Sequence, residues 1–198
     1  MNIDRTTLLR TWGPILLLLV VVALAWCSAN GIWSLAALAE PTAYIEDSEK
    51  SDIIHQFALL KATTRGEFPL LSWKTVAHLG APFTANWNDW PMVEELLVQS
   101  FGLLAKVFGL FAGLNIAILL GNVLAAATFF GVARHLGCRP IWAFVSALAF
   151  GLAPFIFAQS PYHITCEWVW HIPLFLLVWR WVSTDTAIER SEEHTSEL

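Results

Sequence analysis

Residues 13–39 read GPILLLLVVVALAWCSANGIWSLAALA and contain no charged side chain. About 20 apolar residues span the hydrocarbon core of a bilayer, so this run is long enough to cross it even when tilted. Arg5 and Arg10 precede the run, which also suits a secretory signal peptide cleaved near Ala29. Because the hydrophobic sequence continues for ten residues beyond Ala29, the pattern favours an uncleaved membrane anchor.

The composition of the whole chain supports this interpretation. Of its 198 residues, 57% are hydrophobic and only 14% are charged, which is about half the charged fraction of a soluble globular domain. Eleven residues are Trp, a side chain that concentrates where a membrane meets water. A net charge of -5 leaves no basic face for a nucleic acid, and three Cys are too few for a disulfide scaffold.

Three further apolar runs follow, at residues 113–133, 141–158 and 168–182. The last run is short and carries Arg180, so it would cross a bilayer only with its ends reaching toward the headgroups. The sequence therefore predicts an all-α, polytopic membrane protein with about four transmembrane helices.

Whether residues 96–112 also cross the membrane depends on where the basic residues lie. Arg5 and Arg10 place the N-terminus in the cytoplasm, so the loop of residues 40–95 would lie outside. That loop has nine acidic and four basic residues. If residues 96–112 do not cross, the next helix ends inside, at the basic segment 134–139; if they cross, that segment lies outside. The positive-inside tendency favours a re-entrant or interfacial helix.

The predicted organisation follows from these choices. The order is a cytoplasmic N-terminus (1–12), a first span (13–39), an outer loop (40–95), a re-entrant or interfacial helix (96–112), a second span (113–133), a third span (141–158), a second outer loop (159–167), a fourth span (168–182) and a tail (183–198).

The last nine residues, RSEEHTSEL at 190–198, change abruptly from apolar to polar sequence. They match the translation of one reading frame of a widely used sequencing-library adapter at all nine positions. A solvated cytosolic tail would have a similar composition. The match favours translated adapter, so we expect the natural protein to continue past Glu189 and this chain to be its N-terminal piece.

The first outer loop contains a predicted amphipathic helix at residues 52–64. Ile53, Phe57 and Leu60 recur at helical spacing, which suits a helix lying along the membrane surface. Asp52 would stand at its start, where a carboxylate can cap free backbone N–H groups. This capping role would by itself explain why an aspartate stands at this position.

The segment Asn86-Trp87-Asn88-Asp89-Trp90 combines amide, indole and carboxylate groups within five residues. Carbohydrate sites use this mixture, because aromatic faces contact the C–H face of a sugar while amides and carboxylates bind its hydroxyls. An aromatic belt at the membrane surface is the alternative interpretation.

The second outer loop carries His163 and Glu167, and His171 follows at the same spacing. If the segment is helical, these side chains share one side of the helix, and two His with one Glu are suitable ligands for a divalent cation. The distance of about 12 Å from the first to the third is too long for one ion. Polar anchoring at the membrane boundary or a polar cavity is favoured over a metal site.

The order of these features resembles the N-terminal part of the GT-C-type polytopic glycosyltransferases, and more closely that of uncharacterised bacterial membrane proteins related to that superfamily. The resemblance spans residues 13–182. It rests on short motifs shared along the chain: Asp52 with Gln56, Lys61, Leu79-Gly80-Ala81-Pro82-Phe83, Asp89 with Pro91, Asn115, Arg134-His135-Leu136-Gly137, Pro154-Phe155 and His163.

The resemblance implies a function. In such enzymes an aspartate early in the first outer loop serves as catalytic base or positions the acceptor, and the donor is a sugar on a polyprenyl phosphate. Asp52 is the best match, with Asp47 and Asp89 behind it. The implied location is the bacterial inner membrane, with transfer on its outer face. The residues expected to bind substrate are His55, Gln56, Lys61, Asn86, Trp87, Asn88, His163 and Glu167.

Such enzymes have many more spans, so transfer is expected of a longer form and not of this chain alone. The resemblance implies no particular cofactor, and it leaves open whether a divalent cation takes part. The alternative function is a non-enzymatic polytopic membrane protein, either a binder of lipid-linked glycans or a transporter subunit. A transporter would show polar groups near mid-membrane; Asn115 and Asn122 are the polar groups of the second span, and they suit helix–helix contacts equally well.

Overall fold

The computed structural model describes residues 5–41, 53–67, 75–76, 85–86, 95–159 and 168–196. Within these ranges the regular secondary structure is helical apart from a two-residue antiparallel pairing of β1 (Thr75–Val76) with β2 (Ala85–Asn86). The predicted all-helical fold class is therefore confirmed. The helices are α1 (Arg5–Asn30), α2 (Leu35–Leu38), α3 (Ile53–Thr64), α4 (Glu95–Phe108), α5 (Leu110–His135), α6 (Pro140–Gly151), α7 (Pro154–Gln159) and α8 (Ile172–Ser196).

Two helices are long and apolar enough to cross a membrane. They are the Gly13–Asn30 part of α1 and the whole of α5, Leu110–His135. Two shorter apolar stretches, Pro140–Ile156 and Ile172–Thr184, correspond to the other predicted spans. By length and composition, the described residues thus contain two candidate membrane-spanning helices.

The first apolar run is divided by a turn at Gly31, whose φ is +66°. Gly31 N–H bonds to Ser28 O, and Ile32 N–H bonds to Cys27 O at 2.9 Å, which is the hydrogen-bond pattern of a Schellman helix end. Ser34 then caps α2 by accepting a hydrogen bond from Ala37 N–H. As a result α1 ends at Asn30, and the apolar sequence beyond it forms a separate short helix.

The apolar sequence before the second span is divided at Gly109, with φ at +90°. The helices on either side of this glycine, α4 and α5, pack against each other as a hairpin. Gly113 is so close to the backbone of Ala105 that a Cβ at this position would overlap it. Glycine is therefore required where the two helices approach most closely.

Helix α5 is central, because it contacts α1, α2, α3, α4, α6 and α8. Two hydrophobic clusters lie along it. The first cluster surrounds the N-terminal half of α5 and comprises Trp26, Ile32, Leu59, Leu60, Ala62, Leu97, Val98, Phe101, Leu114, Ala117 and Ile118. The second cluster surrounds the C-terminal half and comprises Leu18, Val22, Ala126, Phe130, Ala133, Ala143 and Ala147.

The two clusters establish the direction of the helices. The end of α1 packs on the start of α5 in the first cluster, and earlier residues of α1 pack on later residues of α5 in the second. Helix α1 is therefore antiparallel to α5. Helix α6 also runs antiparallel to α5, since Ala143 lines the same cavity as Ala133 while Gly151 lies against Ala126.

One end of the bundle consequently collects basic residues. The start of α1, the end of α5 and the start of α6 meet there. We call it the basic end, defined by the positions of Arg5, Arg10, Arg134, His135 and Arg139. Helices α2, α3 and α4 pack on the opposite half of α5.

Candidate functional site

Most residues that the sequence assigned to a site lie outside the described residues. These are Asp47, Asp52, Trp87, Asn88, Asp89, His163 and Glu167. Their predicted roles therefore stay predictions.

Four of the predicted site residues lie in described elements. His55, Gln56 and Lys61 lie in α3, and Asn86 is an exposed residue of β2. Gln56 is only 4% exposed, whereas Lys61 is exposed in the last turn of α3. Residues five apart on a helix point in different directions, so α3 places the amide of Gln56 inside the bundle and the ammonium group of Lys61 outside it.

A cleft of about 570 Å³ lies between the start of α4 and the start of α8. We call it the aromatic cleft. One wall of the cleft comes from the end of the first predicted outer loop and the start of α4. The other wall comes from the residues that follow the second predicted outer loop. The lining of the cleft consists of Glu95, Leu96, Leu97, Trp168, Trp170, His171 and Phe175.

The aromatic side chains of the cleft contact one another in a continuous row. Trp168 packs edge-on against Phe101 with ring centroids 5.2 Å apart, and against Trp170 at 6.4 Å. His171 stands edge-on to Trp170 at 6.0 Å and to Phe175 at 5.9 Å. Edge-to-face packing is the favourable geometry for such pairs, so the row holds its rings in defined orientations.

Two hydrogen bonds attach this wall to the middle of α5. Trp168 Nε1 donates to Ala117 O at 3.5 Å, and Thr128 Oγ1 donates to Trp170 O at 2.7 Å. The first bond is long for its type and therefore weak, and the second is short and well formed. The cleft therefore lies beside the central part of α5, between Ala117 and Thr128.

The indole nitrogen of Trp170 is buried, and among the described residues it has no hydrogen-bond acceptor. An indole N–H can only donate, and a buried donor without an acceptor costs free energy. Among the described residues, the Trp170 N–H is therefore a donor left without an acceptor.

The cleft also contains ionisable groups that suit a polar ligand. Glu95 lies in the first turn of α4 and is partly buried, and His171 is exposed just before α8. A carboxylate and an imidazole beside aromatic faces can bind the hydroxyls and the C–H face of a sugar. Among the described residues, no group of three His, Cys, Asp or Glu side chains could hold a metal ion.

Sequence reasoning assigned no site role to Glu95, Trp168 or Trp170, and it considered His171 only together with His163 and Glu167, as a metal ligand or, more favoured, as part of a polar anchor or a polar cavity. The signal was present in the run Trp168-Val169-Trp170-His171, which places two indoles and an imidazole within four residues. That these residues face the start of α4 is a tertiary property with no local signature.

The two buried asparagines of α5 have different partners. Asn115 Nδ2 donates to Leu38 O at 2.8 Å and to Glu40 O at 2.9 Å, so it holds the chain that follows α2 against the bundle. Asn122 Nδ2 donates to Ile118 O of its own helix at 3.0 Å. Asn115 thus fixes the first residues of the outer-loop region.

Comparisons with protein-family models, with curated proteins and with solved structures returned no match. The fold and the cleft define the class of protein at a coarse level. It is an all-helical protein with two candidate membrane-spanning helices and an aromatic cleft beside the longer of them.

Proposed function

We propose that the chain is a multi-pass protein of the bacterial inner membrane, with four transmembrane helices and its basic end in the cytoplasm. The two candidate spans in α1 and α5 support this, and α6 with α7 and the apolar part of α8 provide the two shorter spans. Basic residues favour the cytoplasmic side of a membrane. The start of α1 and the end of α5, which are the ends of the first two spans that carry arginines, both lie at the basic end.

In this placement α4 is a re-entrant or interfacial helix. It packs along the N-terminal half of α5, in the first cluster, and turns back at Gly109. The region between α1 and α5 then forms the long outer loop, and the aromatic cleft lies beside the central part of α5, at the level of the middle of the membrane.

The function that the cleft supports best is binding and transfer of a sugar carried on a polyprenyl phosphate. The observation that carries this proposal is that the cleft's carboxylate, imidazole and indole rings lie next to an exposed apolar helix surface. Phe175 lines the cleft and is 65% exposed, and the apolar residues of α8 continue from it. A ligand with a polar head and a prenyl chain matches this combination of surfaces.

For the transfer step we propose Asp52 as the catalytic base, with Asp47 and Asp89 as the other candidates. The carboxylate takes the proton of an acceptor hydroxyl as its oxygen attacks the anomeric carbon. The bond from that carbon to the phosphate oxygen breaks, and polyprenyl phosphate leaves with the electron pair. His55 and Lys61 are the proposed groups that offset the charge of the phosphate, while the substrate-binding set also includes Gln56, Asn86, Trp87, Asn88, His163 and Glu167.

Binding is the first test. The chain is reconstituted in lipid nanodiscs, and retention of a tritiated polyprenyl-phosphate hexose is measured, with unlabelled polyprenyl phosphate and free hexose as competitors. Trp170→Phe keeps an aromatic ring and removes the N–H donor, so it should weaken binding by about two- to tenfold. Trp179→Phe, on the exposed surface of α8, is the matched control and should bind normally. Unsaturable retention, or equal loss in both variants, would contradict the proposal.

The second candidate function is non-enzymatic binding or transport of the same lipid-linked sugar. The observation that favours it is that α5 carries two buried polar side chains, Asn115 and Asn122, since polar groups inside a span are typical of transporters. Asp52→Asn distinguishes the two in the full-length protein. If Asp52 is the base, the variant binds donor but transfers no sugar. If the protein is a binder or transporter subunit, the unmodified protein also binds donor without transferring it.

A further inference from the structure

A second cavity lies near the basic end, between α5, α6 and the start of α8. Its volume is about 210 Å³, and we call it the basal groove. Its walls include Phe129, Val132 and Leu136 of α5, Trp142 and Ser146 of α6, and Leu176 of α8. The walls are almost entirely apolar, so the groove suits a hydrocarbon chain.

Two arginines adjoin residues that line the basal groove. Arg134 Nη1 donates a hydrogen bond to Cys138 O, and Cys138 itself lines the groove, so the guanidinium group lies next to the groove wall. Arg139 is the next residue in the chain and is exposed, as is Arg134. Helix α6 begins directly after Arg139, and its N-terminus adds positive potential at the same place.

We infer that the basal groove binds one acyl chain of an anionic phospholipid, with the lipid phosphate beside Arg134 and Arg139. The charges of the two arginines complement the phosphate, and the apolar walls accept part of one chain while the rest of the lipid stays in the bilayer. Basic openings between transmembrane helices on the cytoplasmic side are suitable sites for anionic headgroups. The inference rests on the membrane placement proposed above, which puts this end in the cytoplasmic leaflet, and it is independent of sugar transfer.

The charge and the groove make separate contributions that can be removed one at a time. Each arginine near an anionic lipid should strengthen binding by about fivefold, so Arg134→Gln with Arg139→Gln should weaken it by about 30-fold. Ser146 is exposed and lines the groove, so Ser146→Phe should place a ring where the acyl chain lies and should reduce the binding of anionic and zwitterionic lipids alike.

Matched controls exist for both changes. Lys106→Gln removes one positive charge from an exposed position on α4, away from the basic end. Val145→Phe adds a ring at the neighbouring position of α6, which is exposed and does not line the groove. Both controls should bind anionic lipid as the unmodified chain does.

The experiment uses the chain purified from membranes in mild detergent. Native mass spectrometry measures the dissociation constants of phosphatidylglycerol and phosphatidylethanolamine for each variant. Preference for phosphatidylglycerol that is lost in the arginine variant, together with loss of both lipids in Ser146→Phe, supports the inference. Equal affinity of the unmodified chain for the two lipids overturns the inference. The inference is also overturned if the mass spectrum shows a second copy of the chain bound in place of a lipid.

A separate measurement tests the membrane placement itself. Alkaline carbonate treatment of the membranes is done first, because it releases peripheral proteins and leaves integral ones in the bilayer. Release of the chain would overturn both the membrane placement and the lipid site. Retention of the chain without a preference for phosphatidylglycerol would overturn the lipid site alone.

Discussion

The two halves of α5 are buried in different ways. Around the N-terminal half, the first cluster is built from large side chains, with Trp26, Phe101 and Leu60 almost fully buried. Around the C-terminal half, four of the residues in the second cluster are alanines, which let α5 and α6 approach closely. Small residues at helix contacts are typical of helices that pack within a bilayer. The comparison teaches that one helix can be held mainly by large buried side chains at one end, where Gly113 also meets the backbone of Ala105, and by small side chains at the other.

The largest expected effect comes from removing volume in the first cluster. Phe101 is 0% exposed and packs against Trp168, so Phe101→Ala should lower the free energy of unfolding by about 3–5 kcal/mol. Titration with SDS in mixed micelles measures this quantity. Leu103→Ala on the exposed side of α4 is the control, and similar losses in the two variants would contradict the role assigned to the cluster.

Adding volume in the C-terminal half should have the next largest effect. A Cβ on Gly151 would lie 2.7 Å from Ala126 Cβ, so Gly151→Val should lower the free energy of unfolding by about 1–3 kcal/mol. Gly131→Val, in α5, meets open space and serves as the control. If the two valine substitutions lower the free energy of unfolding equally, the loss comes from helix propensity and not from close packing.

A smaller effect is expected where a side chain supports a loop. Asn115→Ala leaves the carbonyls of Leu38 and Glu40 without their donor and should cost about 1–2 kcal/mol of unfolding free energy. Limited proteolysis should show faster cleavage after α2. Thr184→Ala, which removes an exposed hydroxyl bonded within its own helix, should change neither measurement.

The smallest effect on stability is expected at Lys61. It is exposed, so Lys61→Gln should change the free energy of unfolding by less than about 0.5 kcal/mol. If Lys61 offsets the charge of the donor phosphate, the same variant should bind polyprenyl-phosphate hexose severalfold more weakly. Lys106→Gln should bind it normally, and equal binding by both variants would remove Lys61 from the proposed site.

Helix positions were largely predictable from the sequence, and helix ends were less so. The predicted second span, residues 113–133, lies within α5, and α3 covers residues 53–64 of the predicted amphipathic helix, whose first residue lies outside the described ranges. The ends depend on glycines: Gly31 and Gly109 adopt positive φ and break apolar runs that hydropathy alone treats as continuous. Hydropathy averages over a window and cannot locate a single residue at which the backbone turns.

The candidate site was much less predictable. Acidic residues and aromatic clusters in the loops predicted a sugar site, and most of those residues lie outside the described ranges. The cleft that is described is lined by Glu95 and the Trp168–His171 segment, which the sequence did not single out together. Seventy residues of chain separate its two walls, so no local pattern could bring them together.

The sequence by itself determined that the chain is helical and apolar, because hydrophobic runs of spanning length and a low charged fraction follow from composition and periodicity. Tertiary structure alone decided that α1 and α6 run antiparallel to α5, so that the start of α1, the end of α5 and the start of α6 lie at the same end of the bundle. It also decided which loop residues share a cleft. The physical reason is that burial of apolar surface drives collapse without direction, whereas the order of helices depends on which side chains fit together.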